Sequence, residues 1–467
     1  MPDLDAAFVA QATQGLLTGQ ASEAPFAGVG TDSRNVAEGQ LFVALAGPNF
    51  DGHDYVARAL TAGAAGALVR QGFSLPAMPE ACLIQVADTL TALGDLAHAW
   101  RDEHDALVVG LTGSNGKTTT KEMLAAILKQ RHRVLATKGN LNNLIGLPLT
   151  LMQLNDTHTA CVLEMGMNAP GEIARLTEIA APEVGLVTNV GPAHIGMLGS
   201  LTAIARAKAE LYAGLAPSAT AVVNLDDPLL APYAKSLACR VLGFGLDAKE
   251  ARAVRGRDVS AMGGRQAFTL ELPGEEPVRV RLAVPGRHNV VNALAAAATA
   301  CALGLGAETI LAGLEEFRQV PGRLTIIARP GRPTLIDDTY NANPASLAAG
   351  LEALAVIASG RRRALILGDM YELGDHAPVL HRDCGRAAAA SGVALVLALG
   401  AQAREVAQGA AEGGLAPDKA LAFTEMADLL AAAHELLNEF DVVLVKGSRA
   451  MAMERAVKAL SGQGETA

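Results

Sequence analysis

Residues 108–124 read VVGLTGSNGKTTTKEML. A continuous apolar run of strand length passes into a glycine-rich turn ending Gly-Lys-Thr-Thr, and the stretch after it carries helical periodicity. A strand feeding a helix through such a turn commits this part of the chain to an α/β architecture. The chemistry of the turn is equally restrictive. Its glycines let main-chain N–H groups turn onto phosphate oxygens, and a helix starting near Lys117 adds its positive end. Gly113, Ser114, Asn115, Gly116, Lys117, Thr118 and Thr119 are therefore candidates for nucleotide binding. Lys117 would reach the β- and γ-phosphates, and the Thr118 hydroxyl would ligate Mg²⁺. The spacing is G-x-x-G-x-x-G-K-T from Gly110, because Leu111 stands where the usual P-loop has its first glycine. A turn without a ligand is the plain alternative; the flanking strand and helix weigh against it.

The remaining apolar runs set the organisation. The first ~85 residues hold short strands (GQLFVAL, AGALV, ACLIQVAD) and a helix, DYVARALTAG, closed by Gly63. From Asp105 onward, strand-length runs (ALVVGLTG, TACVLEMG, EVGLVTNV, TAVVNLDD) alternate with helical stretches. Such alternation predicts a central parallel sheet covered on both faces. GRQAFTLELPGEEPVRVRLAVPG predicts a hairpin turning at Pro273-Gly274, with helices following from His288 and near Glu308. Beyond Gln319–Gly322, a second strand–helix series (PTLIDD, RALILGDM, ALVLALG, DVVLVKGS) predicts a Rossmann-like doubly wound domain. The expected domains are 1–85, 86–319 and 320–467, consistent with 467 residues being too many for one ordinary core.

Composition narrows the function classes. Half the residues are hydrophobic and 18% charged, as in a folded protein. A net charge of -10 argues against a general nucleic-acid or anionic-membrane surface. Val290–Ala307 is apolar but broken by Asn292, Thr299, Gly304 and Gly306, which predicts a buried helix rather than a membrane span. The opening Met-Pro-Asp-Leu-Asp lacks a basic and apolar leader, so a cytoplasmic location is expected. The five cysteines form no C-x-x-C pair and read as structural thiols.

Four further residues stand where chemistry could be carried. Glu164 closes the strand after the phosphate loop, where a carboxylate can hold a metal or simply face solvent. Lys208 shares a helical stripe with Ile204, Leu211 and Leu215. An amine there must snorkel to the surface or be used in a site, for example as a metal-binding carbamate. Asn189 and His194 sit in a loop just after a strand, where His194 is either an ordinary loop histidine or a metal contact.

GLTGSNGKTTTKEM, LEMGMN, TNVGPAH followed by AKAELY, NLDD, PGRHNVVNALAA and PGRL resemble, in order, the Mur ligases, ADP-forming amide ligases of bacterial cell-wall precursors. TKGNLNNLIGLPLTL, IDDTYNANPASLAAGL, ILGDMYELGDHA and VKGSRAMAMER narrow the resemblance to the member that adds D-alanyl-D-alanine to UDP-N-acetylmuramoyl-tripeptide. The N-terminal TDSRNVAEGQLFVALAGPNFDGHDYVARAL resembles that member's UDP-binding domain. The resemblance implies three α/β domains: a small N-terminal UDP-binding domain, a central P-loop ATPase domain and the C-terminal doubly wound one. It implies that Ser33, Arg34 and Gly47 hold the uridine diphosphate end. Lys117 and Thr118 contact ATP and the first Mg²⁺, with Glu164 sharing that ion; His194 and Lys208, as its carbamate, hold a second. Asn289 and Asn292 fall where the family contacts adenine, and Arg323 and Asp338 approach the nucleotide. Asn140, Asn142 and Asn143 line the cleft near the muramyl peptide, and Tyr340, Asn341 and Asn343 fit the dipeptide end. Lys446, Ser448 and Arg449 form a further polar group. A monomer that neither binds nucleic acid nor enters the membrane is expected.

Two departures stand out. After His194 the family often has Leu-Glu and an aromatic, where this chain has Ile195-Gly196 and Leu198; Ser114 stands where Thr is common. Rival readings are a sibling ligase adding the third residue, a folylpolyglutamate-type ligase, a P-loop switch ATPase, and an inactive precursor-binding protein. The set Lys117, Thr118, Glu164, His194 and Lys208 speaks against the inactive form. Whether the third residue of the tripeptide is meso-diaminopimelate or lysine depends on cleft geometry and stays open.

Overall fold

The structure, a computed structural model, describes residues 3–21, 24–193, 195–262 and 264–462. It contains three sheets. The first is built from β1 (Leu16–Thr18), β2 (Val29–Gly30), β3 (Leu41–Val43), β4 (Gly66–Arg70) and β5 (Leu83–Val86), in the order β1-β5-β4-β3-β2. Its inner strands pair in parallel, and β1 closes the edge antiparallel to β5. Phe42, Ala44, Val56, Ala59, Ala67 and Val69 form its core. The helix predicted between β3 and β4 is present at Val56–Thr61, and Gly63 follows it at φ +114°, a conformation that glycine adopts without strain. An additional helix, Ala6–Thr13, starts at Asp5, whose carboxylate accepts from Phe8 N at 2.8 Å.

The middle sheet has nine strands: β6 (Leu107–Thr112), β7 (Val134–Ala136), β8 (Ala160–Glu164), β9 (Val184–Val187), β10 (Thr220–Asn224), β11 (Arg240–Gly245), β12 (Val254–Met262), β13 (Arg265–Glu271) and β14 (Val278–Leu282). It is mixed, because the strands expected to be parallel and the expected hairpin share one sheet. β8 pairs in parallel with β6 and β7, but β13 runs antiparallel to both β12 and β14. For β13 and β14 the reason is the short turn at Pro273-Gly274, with Gly274 at φ +78°: two strands joined so tightly can only be antiparallel. The predicted helices stand at Arg287–Ala302 and Ala307–Glu316. Among the described residues no helix is long and apolar enough to cross a membrane.

The third sheet has the order β15-β16-β20-β17-β18-β19, from β15 (Thr325–Ile327), β16 (Thr334–Asp338), β17 (Arg363–Gly368), β18 (Leu395–Leu399), β19 (Ala420–Phe423) and β20 (Val442–Lys446). Alternate residues of each strand enter different cores. Ile336, Leu365, Leu367, Val396, Val442 and Leu444 pack on one face, and Leu335, Ile366, Leu395, Leu397, Val443 and Val445 on the other. Both faces are thus covered, as a doubly wound sheet requires.

By compactness the chain divides into two units. One comprises Met1–Thr112, His132–Gly185 and Glu210–Thr220; the other comprises Gly113–Arg131, Leu186–Ala209 and Ala221–Ala467.

Candidate active site

The phosphate loop belongs to the second unit, and its geometry follows from its glycines. Gly113 (φ +149°) and Gly116 (φ +80°) occupy backbone conformations that L side chains rarely adopt. A Cβ on Gly113 would overlap Thr188 Oγ1, and one on Gly116 would overlap the Asn292 side chain. The Lys117–Leu128 helix begins directly at the loop, and no side chain caps its first turn. The positive end of that helix therefore lies at the loop, where an anion is favoured. Lys117 Nζ donates to Gly113 O at 2.7 Å, which folds the amine back over the loop. Ser114 Oγ bridges Gly191, accepting from its N–H at 2.8 Å and donating to its carbonyl at 3.1 Å.

Beside the loop lies a pocket of about 270 Å³. The loop side contributes Asn115, Gly116 and Thr119; the Arg287–Ala302 helix contributes His288, Asn289 and Asn292; the C-terminal part contributes Arg323, Asp338 and Lys446. The two asparagines form a fixed chain: Asn292 Nδ2 donates to Asn289 Oδ1 at 3.0 Å, and Asn289 Nδ2 to Pro285 O at 2.6 Å. Arg323 lies 4.1 Å above the Tyr340 ring and donates from Nη2 to Thr118 Oγ1 at 3.3 Å, while its buried Nε has no protein acceptor. Lys446 Nζ, 2.6 Å from Asp338 Oδ2 and 2.9 Å from Asn341 O, is buried; desolvation pulls its pKa down, against the pull of Asp338. His288 keeps part of its surface open to the pocket. Protein packed around the ring still desolvates it and pushes its pKa down to about 4, Asp338 opposing and Lys446 assisting. The ring is neutral at physiological pH.

Lys208 does not snorkel. It is 1% exposed in the Leu201–Ala213 helix, and burial, aided by the charge of Lys117, drives its pKa well below the usual lysine range. His194 lies outside the described residues. Just after it, Gly196 N donates to Glu372 O at 3.1 Å, and a Cβ on Gly196 would overlap the backbone at Gly374. A side chain at that position has no room.

The first unit carries the other candidates. Glu164 ends β8 only 2% exposed, so it is no ordinary surface carboxylate. Asn142 Nδ2 donates to its Oε1 at 2.9 Å. Asn143 Oδ1 accepts from Ile145 N and Gly146 N, which spends that side chain on the turn into the Gly146–Leu151 helix, and Asn140 is exposed. Arg34 forks onto Asp32 at 2.9 and 2.8 Å and holds that carboxyl well below its ordinary range. Ser33 is buried and Gly47 exposed. Among the described residues no cluster of three or more His, Cys, Asp or Glu could hold a metal.

Three family models match in chain order: the Mur ligase family catalytic domain at residues 25–101, the Mur ligase middle domain at 111–300, and the Mur ligase glutamate ligase domain at 322–449. The chain belongs to the Mur ligase family. It is 39% identical to the UDP-N-acetylmuramoyl-tripeptide–D-alanyl-D-alanine ligase of Escherichia coli (strain K12), over 93% of this chain and 94% of that protein. The crystal structure of MurF from Acinetobacter baumannii superposes with a TM-score of 0.90 at 35% identity, covering 99% of this chain and 100% of that one. MurF ligase from Thermotoga maritima, solved in complex with ADP, superposes with a TM-score of 0.81 at 28% identity, covering 93% and 97%.

Several polar residues of this Mur ligase escaped the sequence reading. Thr188 and Asn224 stack beneath the loop: Thr188 Oγ1 donates to Asn115 O at 2.7 Å, and Asn224 Nδ2 donates to Thr188 O at 2.8 Å. Asp227 accepts from Val190 N at 2.7 Å. The NLDD string was visible, but only the fold brings it under the phosphate loop. His288 was adjacent to a flagged asparagine, and nothing in one dimension marks it as pocket-lining.

Proposed function

We propose that this chain is an ATP-dependent, ADP-forming ligase that joins D-alanyl-D-alanine to UDP-N-acetylmuramoyl-tripeptide, giving UDP-N-acetylmuramoyl-pentapeptide for peptidoglycan synthesis. The observation that carries the reading is the single pocket lined by the phosphate loop, by Asn289 and Asn292, and by Arg323 and Asp338. It is supported by the full-length likeness to ligases of that name.

A carboxylate is a poor electrophile, so its oxygen first takes the γ-phosphoryl group, and the dipeptide amine then attacks the acyl phosphate. Lys117 and the loop N–H groups hold the ATP phosphates, and Asn289 and Asn292 hold the adenine. Arg323 places positive charge where the transferring group becomes most anionic. Asp338 holds Lys446 and the turn at Leu324, so it orients this cationic wall. Ser33, Arg34 and Gly47 bind the uridine diphosphate end. Asn140, Asn142 and Asn143 line the peptide cleft, and Tyr340, Asn341 and Asn343 take the dipeptide end. Water destroys an acyl phosphate, so the cleft closes first, turning at Gln319–Gly322.

The reading includes two Mg²⁺ ions. Thr118 and the buried Glu164 offer hard oxygen donors, and Lys208 becomes one only as a carbamate, which its depressed amine pKa favours. His194 completes the second set. When bound, the ions supply the positive charge that lets phosphate and carboxylate approach. The domains are 1–85, 86–319 and 320–467, and the protein acts as a cytoplasmic monomer without nucleic-acid partners.

The test is phosphate release from ATP, Mg²⁺ and UDP-muramoyl-tripeptide, with and without D-alanyl-D-alanine, with the product weighed by mass spectrometry. Dipeptide-dependent release with pentapeptide formed is the expected result, and exchanging meso-diaminopimelate for lysine in the tripeptide then sets its third residue. Release indifferent to the dipeptide, without pentapeptide, would overturn the assignment.

A further inference from the structure

The main-chain N–H of Ser346 can only donate, and it donates to Asn343 Oδ1 at 2.9 Å. That bond decides which end of the Asn343 amide faces its own helix, Pro344–Ala358, where Asn343 is the N-cap and Ser346 Oγ completes the capping box. The other end, Nδ2, donates to Asn115 Oδ1 at 2.8 Å. A donor facing Asn115 demands the Asn115 carbonyl oxygen there, which turns the Asn115 NH₂ to its opposite side. The main chain of Asn115 is anchored independently: its N–H donates to Asn189 Oδ1 at 2.9 Å, and its carbonyl accepts from Thr188 Oγ1 and Asn189 Nδ2. Nδ2 is the one polar atom that these bonds leave unused. It lies 3.4 Å from where a Cβ on Gly191 would sit, and Asn115 lines the nucleotide pocket. An unambiguous backbone donor thus dictates, through two amides, the polarity that the phosphate loop presents.

We propose that Asn343 is a positioning residue for the nucleotide step: it selects the amide orientation of Asn115, so that the loop offers polyphosphate a donor instead of a carbonyl oxygen. The proposal rests on the reading of this pocket as the ATP site. It gives Asn343 a role distinct from contact with the dipeptide.

Three substitutions separate orientation from structure. Asn343→Asp and Asn343→Ser both keep a good N-cap, whereas Asn343→Ala loses it. Asp offers only acceptors, so Asn115 turns its NH₂ toward residue 343 and its oxygen toward the phosphates. The expected result is an N343D KM for ATP raised on the order of tenfold or more, a smaller rise in N343S, and melting temperatures near wild type in both, with the rise in ATP KM present whatever happens to the dipeptide KM. In an Asn115→Ala background, N343D should have little further effect, because the group being oriented is gone. The proposal fails if the ATP KM follows melting temperature with N343A worst, or if N343D acts equally in the N115A background. It also fails if only the dipeptide KM rises in N343S. ADP binding to the wild type by calorimetry distinguishes the two levels. Without binding the ATP-site reading falls and takes the proposal with it; with binding, an N343D that matches wild type overturns the orientation role alone.

Discussion

Arg323 Nη2 lies 3.3 Å from Thr118 Oγ1, joining residues 205 positions apart at the first turn of the phosphate-loop helix. The guanidinium stacks on Tyr340 and keeps a buried N–H without a protein acceptor, as a group awaiting an anion does. Arg323→Ala should lower kcat on the order of 10²–10³-fold, the usual loss for one preorganised donor, with little change in melting temperature. Arg323→Lys should recover only part of it, because lysine keeps the charge but neither the fork nor the stacking plane. Steady-state kinetics of the two variants check this; full activity in R323K would show that charge alone matters.

Gly196 packs against the backbone of Glu372–Gly374, which occupies the space a side chain needs. Gly196→Ala should destabilise the packing of Ile195–Leu198 on that loop, at a cost on the order of 1–3 kcal/mol for overpacking. Gly196→Glu should cost more. Thermal melts and kcat of the two variants decide it; wild-type behaviour of G196E would mean that the contact yields without penalty.

Lys208 should take up carbon dioxide, because burial and the charge of Lys117 lower its pKa and so favour the uncharged, nucleophilic amine. Protein incubated with ¹³C-bicarbonate should give a carbamate resonance that Lys208→Met lacks, and K208M should be nearly inactive. Identical spectra from wild type and K208M would sink the carbamate.

His288 sets a pH dependence. Its ordinary pKa is 6.5 and its folded one about 4. Between those values the unfolded chain binds a proton that the native ring refuses, so stability falls as pH drops through that window. The full effect is at most roughly 3 kcal/mol, reduced because the ring partly faces an open pocket. Wild type should therefore lose more melting temperature between pH 7 and pH 5 than His288→Gln does. Equal losses, or an NMR titration midpoint of the ring at 6 or above, would contradict the burial argument.

Much of this was legible in one dimension. The strand, glycines and helix start at Gly113–Thr118 depend on local conformation, and local conformation is what short sequence patterns encode. The stripe at 204, 208, 211 and 215 already put Lys208 on the buried face of its helix, since helical period alone decides which residues share a side. Edge strands were missed: β1, β2, β15 and β19 are two to four residues long, too short for a period-2 signal to rise above its surroundings.

What the sequence by itself determined is therefore the order of the elements, the phosphate loop and the place of Lys208 on an apolar stripe, each a property of neighbours along the chain. Tertiary structure alone decided the joining of parallel strands and hairpin into one sheet, the confinement of Glu164 and His288, and the link from Ser346 through Asn343 to Asn115. Those depend on which polar atoms face one another across the fold. Hydrogen-bond polarity and desolvation act through space, and residues 228 positions apart, such as Asn115 and Asn343, share no signal until the chain brings them to 2.8 Å.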